Sequence, residues 1–495
     1  MSWRTIVSIA MGVTGLAAVG SAQVPTDTVR ALAEIDRHFT RLGKLHGESI
    51  WPGYRPDTIP IAYVFPQRGT VLFNWRGPLP AGYEAVAGIP NAAWLSARNL
   101  GAASTGTSIG DRAVAQVVVS SLATEAVLPT AFHEAFHVFE RASQKPGRRF
   151  GYGENSFYVA SYPIFGVRNE SLWSLEGKLL ADALQEKSTA RKRELARQFV
   201  AVRRTRQSRL ETSYAEFERA SEMNEGLAEY SLVRALQLLA SDSAVTDATR
   251  AGARKMLADR VVDLGRLGTN VTQSFRLRFY ETGPAEGLLL DALSPNWKRE
   301  MMDENETLQD ALASATGLDD PQRAAFRNVV ARLDTTAAAR DAELRVRNLV
   351  ALRAKQVDSV LSAPGVLLEI SAKELPNKDF NACGFDPQNH LQVSPTVQMQ
   401  NRWWRPCTGS FSAEFNVPSV HDDDAGTVRA VIGAASDVKL TVDGAPVALT
   451  DGLALDAATK VQLDAPRANV QASRARVSMN GRTLRIIALP DVKKS

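Results

Sequence analysis

Ala131-Phe132-His133-Glu134-Ala135-Phe136-His137 is the stretch on which the reading of this chain turns. On a helix, His133 and His137 stand four apart, one turn along the same face. Two imidazoles so placed can reach a single zinc ion, and Glu134 then lies beside the coordination position that the protein leaves open. A carboxylate there can take a proton from metal-bound water, which is the chemistry of metal-assisted peptide hydrolysis. The chain holds only 6 His in 495 residues, so this spacing seldom arises by chance. The competing reading is a buried helix whose two histidines satisfy core hydrogen bonds. Pro129 and Thr130 mark the predicted helix start, with Thr130 as N-cap or first helical residue. Phe132, Phe136, Val138 and Phe139 give the helix apolar packing surface. Upstream, Ala115-Gln116-Val117-Val118-Val119-Ser120 is rich in β-branched residues and reads as a strand. The expected picture is a sheet with the metal helix beneath it.

Two His leave zinc short of a protein ligand. Downstream, Met223-Asn224-Glu225-Gly226-Leu227-Ala228-Glu229-Tyr230 sets Glu225 and Glu229 four apart on one helical face. Glu225 suits the metal, and Glu229 suits the far nitrogen of a histidine ring. Glu170 and Glu176 compete for the ligand role. They sit on a predicted helix over 169–180 whose core face is Leu172, Leu175 and Leu179. For Glu176 a solvated or outer-layer acid is the stronger reading.

The segment Asn224-Glu225-Gly226-Leu227-Ala228-Glu229-Tyr230, taken with His133-Glu134-x-x-His137, resembles the gluzincin metallopeptidases. It is similar to the third-ligand helix of their thermolysin-like and aminopeptidase-like families, and closer to the latter. The resemblance implies a zincin-like catalytic domain with Zn2+ as cofactor and a peptide or protein as substrate. It also implies Glu225 as the third metal ligand and Glu229 as the acid behind a histidine. His137 and Glu225 are 88 positions apart, so a helical insertion must separate the two metal helices. Zinc peptidases further use a hydrogen-bond donor to hold the oxyanion. Tyr280, just ahead of the Gly283-Pro284 break, is the first candidate, followed by Tyr230 and Tyr214; a core or rim tyrosine is the alternative.

The chain begins with Met1-Ser2-Trp3-Arg4, then an apolar run from Ile6 to Val19, then Gly20-Ser21-Ala22. This pattern predicts a cleavable signal peptide over 1–22, cut between Ala22 and Gln23, and a secreted or periplasmic protein. The run is too short to span a bilayer and no other stretch is long enough, so no stable membrane insertion is expected. No Cys lies near the cleavage site to carry a lipid anchor. Cys383 and Cys407, the only 2 Cys, are expected to form a disulfide in an exported protein.

The formal net charge is +4 with 23% charged residues, ordinary for a globular chain. A basic run passes through Lys187, Arg191, Lys192, Arg193, Arg197, Arg203, Arg204, Arg206 and Arg209. Leu195, Phe199 and Val202 recur within it at helical spacing. It therefore reads as the solvated face of a long helix, and no nucleic-acid partner is expected.

The predicted fold class is α+β. A zincin-like metallopeptidase domain should cover 23–361, opening on an amphipathic helix through Val29, Leu32, Ile35, Phe39 and Leu42. It should be β-rich over 51–122 and helical over 129–361. Residues 362–495 should form an all-β, sandwich-like domain. Its strands alternate or run β-branched, as in 428–433, 438–442 and 483–487, between turns at Asp443-Gly444, Asp451-Gly452 and Asn480-Gly481. Within it Trp403 and Trp404 either pack on the disulfide or offer a face for a protein or glycan. His421-Asp422-Asp423-Asp424 reads as a solvated turn, with calcium binding the alternative. Two functions are open: a secreted or periplasmic zinc peptidase, endo- or exo-acting, and a catalytically inactive zincin-fold envelope protein acting in binding or structure. The intact Glu134 favours the first.

Overall fold

A computed structural model describes residues 26–490, except 67, 97–102, 160, 268–274, 319–328, 332, 334, 377 and 388. The expected signal peptide therefore lies outside the described residues. Helix α1 (Thr26–Ile50) buries Val29, Leu32, Ile35, Phe39 and Leu42, the stripe that its 3.6-residue periodicity announces. Six strands follow: β1 (Ile61–Phe65), β2 (Gly69–Phe73), β3 (Glu84–Ala85), β4 (Ala92–Leu95), β5 (Thr105–Ile109) and β6 (Arg112–Val118). They form one sheet in the order β3-β4-β2-β1-β6-β5. β1 and β6 run parallel with Ile61 opposite Ala115, while β1–β2 and β5–β6 are antiparallel. The central β2 is buried along its whole length, which is why it reads as a continuous apolar run instead of an alternating one.

β6 leads directly into α2 (Thr124–Ala142), which carries the histidines. The helix starts at Thr124, not at Pro129 or Thr130 as expected, with Ala123 as N-cap. Proline reads as a helix start because it lacks an N–H. Here packing overrides that signal: Leu128 and Pro129 are buried, and the Thr130 hydroxyl donates to the Ala126 carbonyl (2.9 Å). Phe132 packs on Phe39 and Tyr54, and Phe136 on Trp51, Tyr54 and Phe150. The Tyr54 hydroxyl donates to the Phe132 carbonyl (2.8 Å), fixing α2 against the turn that follows α1.

The further α-helices among the described residues are α3 (Val167–Gln185), α4 (Thr189–Gln207), α5 (Thr212–Ser221), α6 (Leu227–Ser241), α7 (Asp247–Gly265), α8 (Phe279–Leu293), α9 (Trp297–Glu304), α10 (Leu308–Thr316) and α11 (Thr336–Ser362). A π-turn, Glu222–Gly226, joins α5 to α6. Among the described residues, no helix is long and apolar enough to cross a membrane.

The basic run on α4 is not wholly a solvated face. Arg203 and Arg206 are each only 1% exposed and ion-paired to Glu176, Glu218, Glu222 and Glu286. Those acids come from α3, α5, the π-turn and α8, so the partners that make burial tolerable are remote in sequence. Glu176 is itself fully buried in this network, which corrects its reading as a solvated or metal-side acid.

The chain divides into two compact units. The first comprises the described residues within 1–155, 174–267 and 278–333, and the second those within 156–173, 268–277 and 334–495. The second unit thus takes in α11, at whose end the expected junction after Leu361 falls. Its β-module holds an eight-stranded and a seven-stranded sheet. Leu368, Ile370, Val428 and Ile486 of one share a core with Phe411, Phe415, Leu463 and Val470 of the other, the packing of a β-sandwich. The fold class is α+β. Cys383 and Cys407, on neighbouring strands, form the disulfide. Trp404 is buried in the sandwich core, and Trp403 lies against Gly384 and donates to Glu414 (3.1 Å).

Candidate metal centre

The centre lies wholly within the first unit and is built where α2 crosses α6. His133 and His137 project from one face of α2, and their Nε2 atoms are 3.2 Å apart. Glu225 enters from the π-turn at the head of α6, its Oε2 3.4 Å from His133 Nε2 and 3.5 Å from His137 Nε2. Three donor atoms from residues up to 92 positions apart thus converge on one point. Glu134 is close by and only 4% exposed, and its Oε2 has no hydrogen-bond partner. A buried carboxylate oxygen left unpaired costs stability unless something polar is to meet it there.

Each histidine ring turns its other nitrogen to a buried acid. His133 Nδ1 is 2.7 Å from Glu229 Oε2, and His137 Nδ1 is 3.2 Å from Glu140 Oε2. A carboxylate so placed behind a metal-ligating histidine orients the ring and can set its tautomer. The Arg260 guanidinium on α7 in turn donates to Glu229, and it also donates to the Tyr280 carbonyl (3.3 Å). Asn224 donates to the Glu154 carboxylate and stands 3.4 Å from Glu225 Oε1, which braces Glu225 from its outer side. On the sheet side, β5 runs tightly against α2. A Cβ on Gly106 would lie 3.1 Å from the His137 Cβ, and Arg141 donates to the Gly106 carbonyl.

Four carboxylates therefore surround two imidazoles in a buried space, where burial and mutual charge shift pKa values. Burial raises the Glu134 pKa, while the two histidines draw it down. Burial pushes the Glu140 carboxyl up to about 7, against the pull of His137. For His137, burial opposes the charged form, but Glu225, Glu140 and Glu134 outweigh it and hold the ring well above its usual pKa. This excess of negative charge suits a divalent cation, and His133, Glu134 and His137 form a buried group that could hold one.

Of the expected residues, the structure brings His133, Glu134, His137, Glu225 and Glu229 together. Tyr280, at the start of α8, is also near: its ring stacks on that of His133, with centroids 5.9 Å apart and planes at 12°. Tyr230 is elsewhere engaged, its hydroxyl donating to Asp291 (2.7 Å) and its ring meeting Trp297. Tyr214 lies half-buried on α5. Glu140 escaped the sequence reading, although its spacing of three from His137 places it on the same face of α2.

A second acid–histidine group lies in the β-module, where Asp379, His421 and Asp423 converge. His421 Nε2 is 2.9 Å from Asp379 and its Nδ1 is 3.0 Å from Asp423, so each ring nitrogen faces a different carboxylate. Of the two contacts, that of Nε2 with Asp379 is a hydrogen bond. No family model matches this chain, no curated protein does, and no solved structure does.

Proposed function

We propose that the chain is an exported zinc-dependent peptidase, with His133, His137 and Glu225 as metal ligands and Glu134 as general base. The observation that carries this reading is the donor triangle, with edges of 3.2, 3.4 and 3.5 Å. Tetrahedral zinc bound at 2.0–2.1 Å requires ligand–ligand edges of ~3.3–3.4 Å. Two nitrogens and one carboxylate oxygen, with one corner open, make the donor set of a hydrolytic zinc site. When bound, zinc would lower the pKa of a water and polarise the substrate carbonyl.

Every other role falls to side chains of the chain. Glu134 accepts the proton at its unpaired Oε2 and can return it to the leaving amine. Glu229 and Glu140 hold the imidazoles in register, and Arg260 holds Glu229. Tyr280 is proposed as the donor to the developing oxyanion, and Glu225 keeps its bracing from Asn224. The Cys383–Cys407 disulfide supports an oxidising compartment, in keeping with the predicted signal peptide.

Metal analysis of the purified protein, combined with a peptide-library digest, tests this reading. One zinc per chain is expected, and His133→Ala or His137→Ala should remove most of it. Zinc should also raise the melting temperature, because each tenfold excess of free metal over its Kd adds about 1.4 kcal/mol. Full occupancy in both His variants would refute the ligand assignment. A zinc-loaded protein that cleaves nothing would favour the alternative of a binding or structural envelope protein. Tyr280→Phe should retain the metal and slow turnover by roughly 10²–10³-fold, as loss of an oxyanion donor does. An unchanged kcat would remove Tyr280 from the mechanism.

A further inference from the structure

We infer that Arg203 and Thr282 are positioning residues for Glu225: by clamping Glu222 they hold the π-turn in the one register that presents Glu225 to the histidines. The inference rests on the metal reading above and adds to it a mechanical support that touches no ligand.

The π-turn Glu222–Gly226 interrupts what would otherwise be a continuous helix from α5 to α6. Such turns are rare and strained relative to an α-helix, and they persist only where their surroundings insist on them. On an α-helix, residues three apart share a face. The wider turn swings them apart, so Glu222 faces inward to α4 while Glu225 faces α2. A relaxed helix could not serve both directions.

Two contacts impose the turn. The first is the grip on Glu222, which is buried at 1% exposure. Arg203 Nη1 donates to both of its carboxylate oxygens (2.6 and 2.8 Å), and the Thr282 hydroxyl donates to Oε1 (2.5 Å). Arg203 is itself immobilised. Its Nε donates to Glu176 (2.9 Å), its Nη1 to Glu286 (2.6 Å), and its guanidinium lies 4.5 Å from the Phe199 ring centroid. Burial and the adjacent Glu222 hold the Glu286 pKa well above the usual carboxyl range.

The second contact is backbone against backbone. A Cβ on Gly226 would lie 2.8 Å from the Gly283 Cα, so α8 abuts the turn with nothing between them. Thr282 and Gly283 are consecutive, and α8 therefore both grips Glu222 and backs Gly226. These two holds fix the backbone from which Glu225 reaches the histidines.

The test is zinc affinity of the full-length protein, stripped of metal and reloaded in competition with a chromogenic chelator. The cobalt(II) absorption spectrum serves as a second readout of coordination. Thr282→Val removes one donor at constant volume and should weaken zinc binding about tenfold. Arg203→Met should weaken it up to ~100-fold, the range seen when supports behind a metal ligand are lost. Thr282→Ser keeps the hydroxyl and should restore wild-type affinity. Leu72→Ala, a fully buried β2 residue in a separate cluster, should lower the melting temperature and leave zinc affinity unchanged.

If Arg203→Met does not fold, Thr282→Val and its Ser rescue decide the matter. Wild-type affinity and spectrum in folded Thr282→Val would overturn the inference, and so would equal weakening in Leu72→Ala. A wild-type chain that takes up no zinc would overturn the metal reading itself and the clamp with it.

Discussion

Replacing Glu134 by Gln is expected to leave zinc content unchanged and to slow peptide hydrolysis by roughly 10²–10⁴-fold. The size of the effect follows from where the group stands. In the proposed assignment His133, His137 and Glu225 hold the metal and Glu134 stands beside them as the base, so an amide in its place would remove no ligand. Gln is nearly isosteric with Glu, and its carbonyl oxygen can still accept a hydrogen bond. What it cannot do is take up a proton. Among the described residues the buried Oε2 has no hydrogen-bond partner. Matched zinc loading in wild type and variant, followed by single-substrate kinetics, separates this loss from any loss of metal. Equal turnover at equal zinc content would end the general-base assignment and, with it, the peptidase mechanism. Lost zinc would instead point to a misplaced helix.

How much of this centre could be read from the sequence depended on how local each signal was. The pairs His133/His137 and Glu225/Glu229 are four apart, so helical geometry alone puts each pair on one face. Glu140 obeys the same arithmetic and was legible in principle. Which helix would meet which is a tertiary matter, and here the paired acids Glu225 and Glu229, together with the resemblance in the Asn224–Tyr230 segment, pointed α6 at α2. Arg203, Arg206 and Glu176 went astray for the complementary reason. Charge is a reliable marker of exposure only while its partners are unknown. Four acids on other elements surround these two guanidiniums, and no local pattern announces that. Pro129 misled in the same way: a missing N–H is a helix-start signal until packing on both sides of the residue outweighs it. The β-module was more transparent, because alternation and Asp-Gly or Asn-Gly turns are themselves the local physics of a sandwich. The π-turn left no mark in the sequence, since Glu222-Met223-Asn224-Glu225-Gly226 reads as ordinary helix.

Gly283→Ala should destabilise the first unit by about 3 kcal/mol or more and reduce its metal uptake at the same time. Helix propensity predicts the opposite, because Ala is favoured over Gly within a helix by roughly 1 kcal/mol. Sterics decide the sign. The new Cβ would lie 2.3 Å from the Gly226 Cα and 3.0 Å from its carbonyl carbon. Both are backbone atoms, so no rotamer change can relieve the overlap, and α8 must move away from the π-turn. Overpacking that shifts backbone typically costs 1–3 kcal/mol, and the upper end applies where both partners are helices fixed elsewhere. Here α8 is also held by Gly287, where a Cβ would lie 2.6 Å from the Tyr230 ring. Moving α8 would carry Tyr280 away from His133 and loosen Glu225 in the same displacement, which ties the stability loss to the loss of metal. Gly265→Ala, at the end of α7, supplies the control. Its Cβ would meet only the Ala181 Cβ at 3.6 Å, an ordinary contact, so that variant should be neutral or slightly stabilised. Thermal melts with and without zinc check both variants. A Gly283→Ala protein as stable as wild type would mean that α8 does not bear on the π-turn as tightly as the Gly226–Gly283 contact requires.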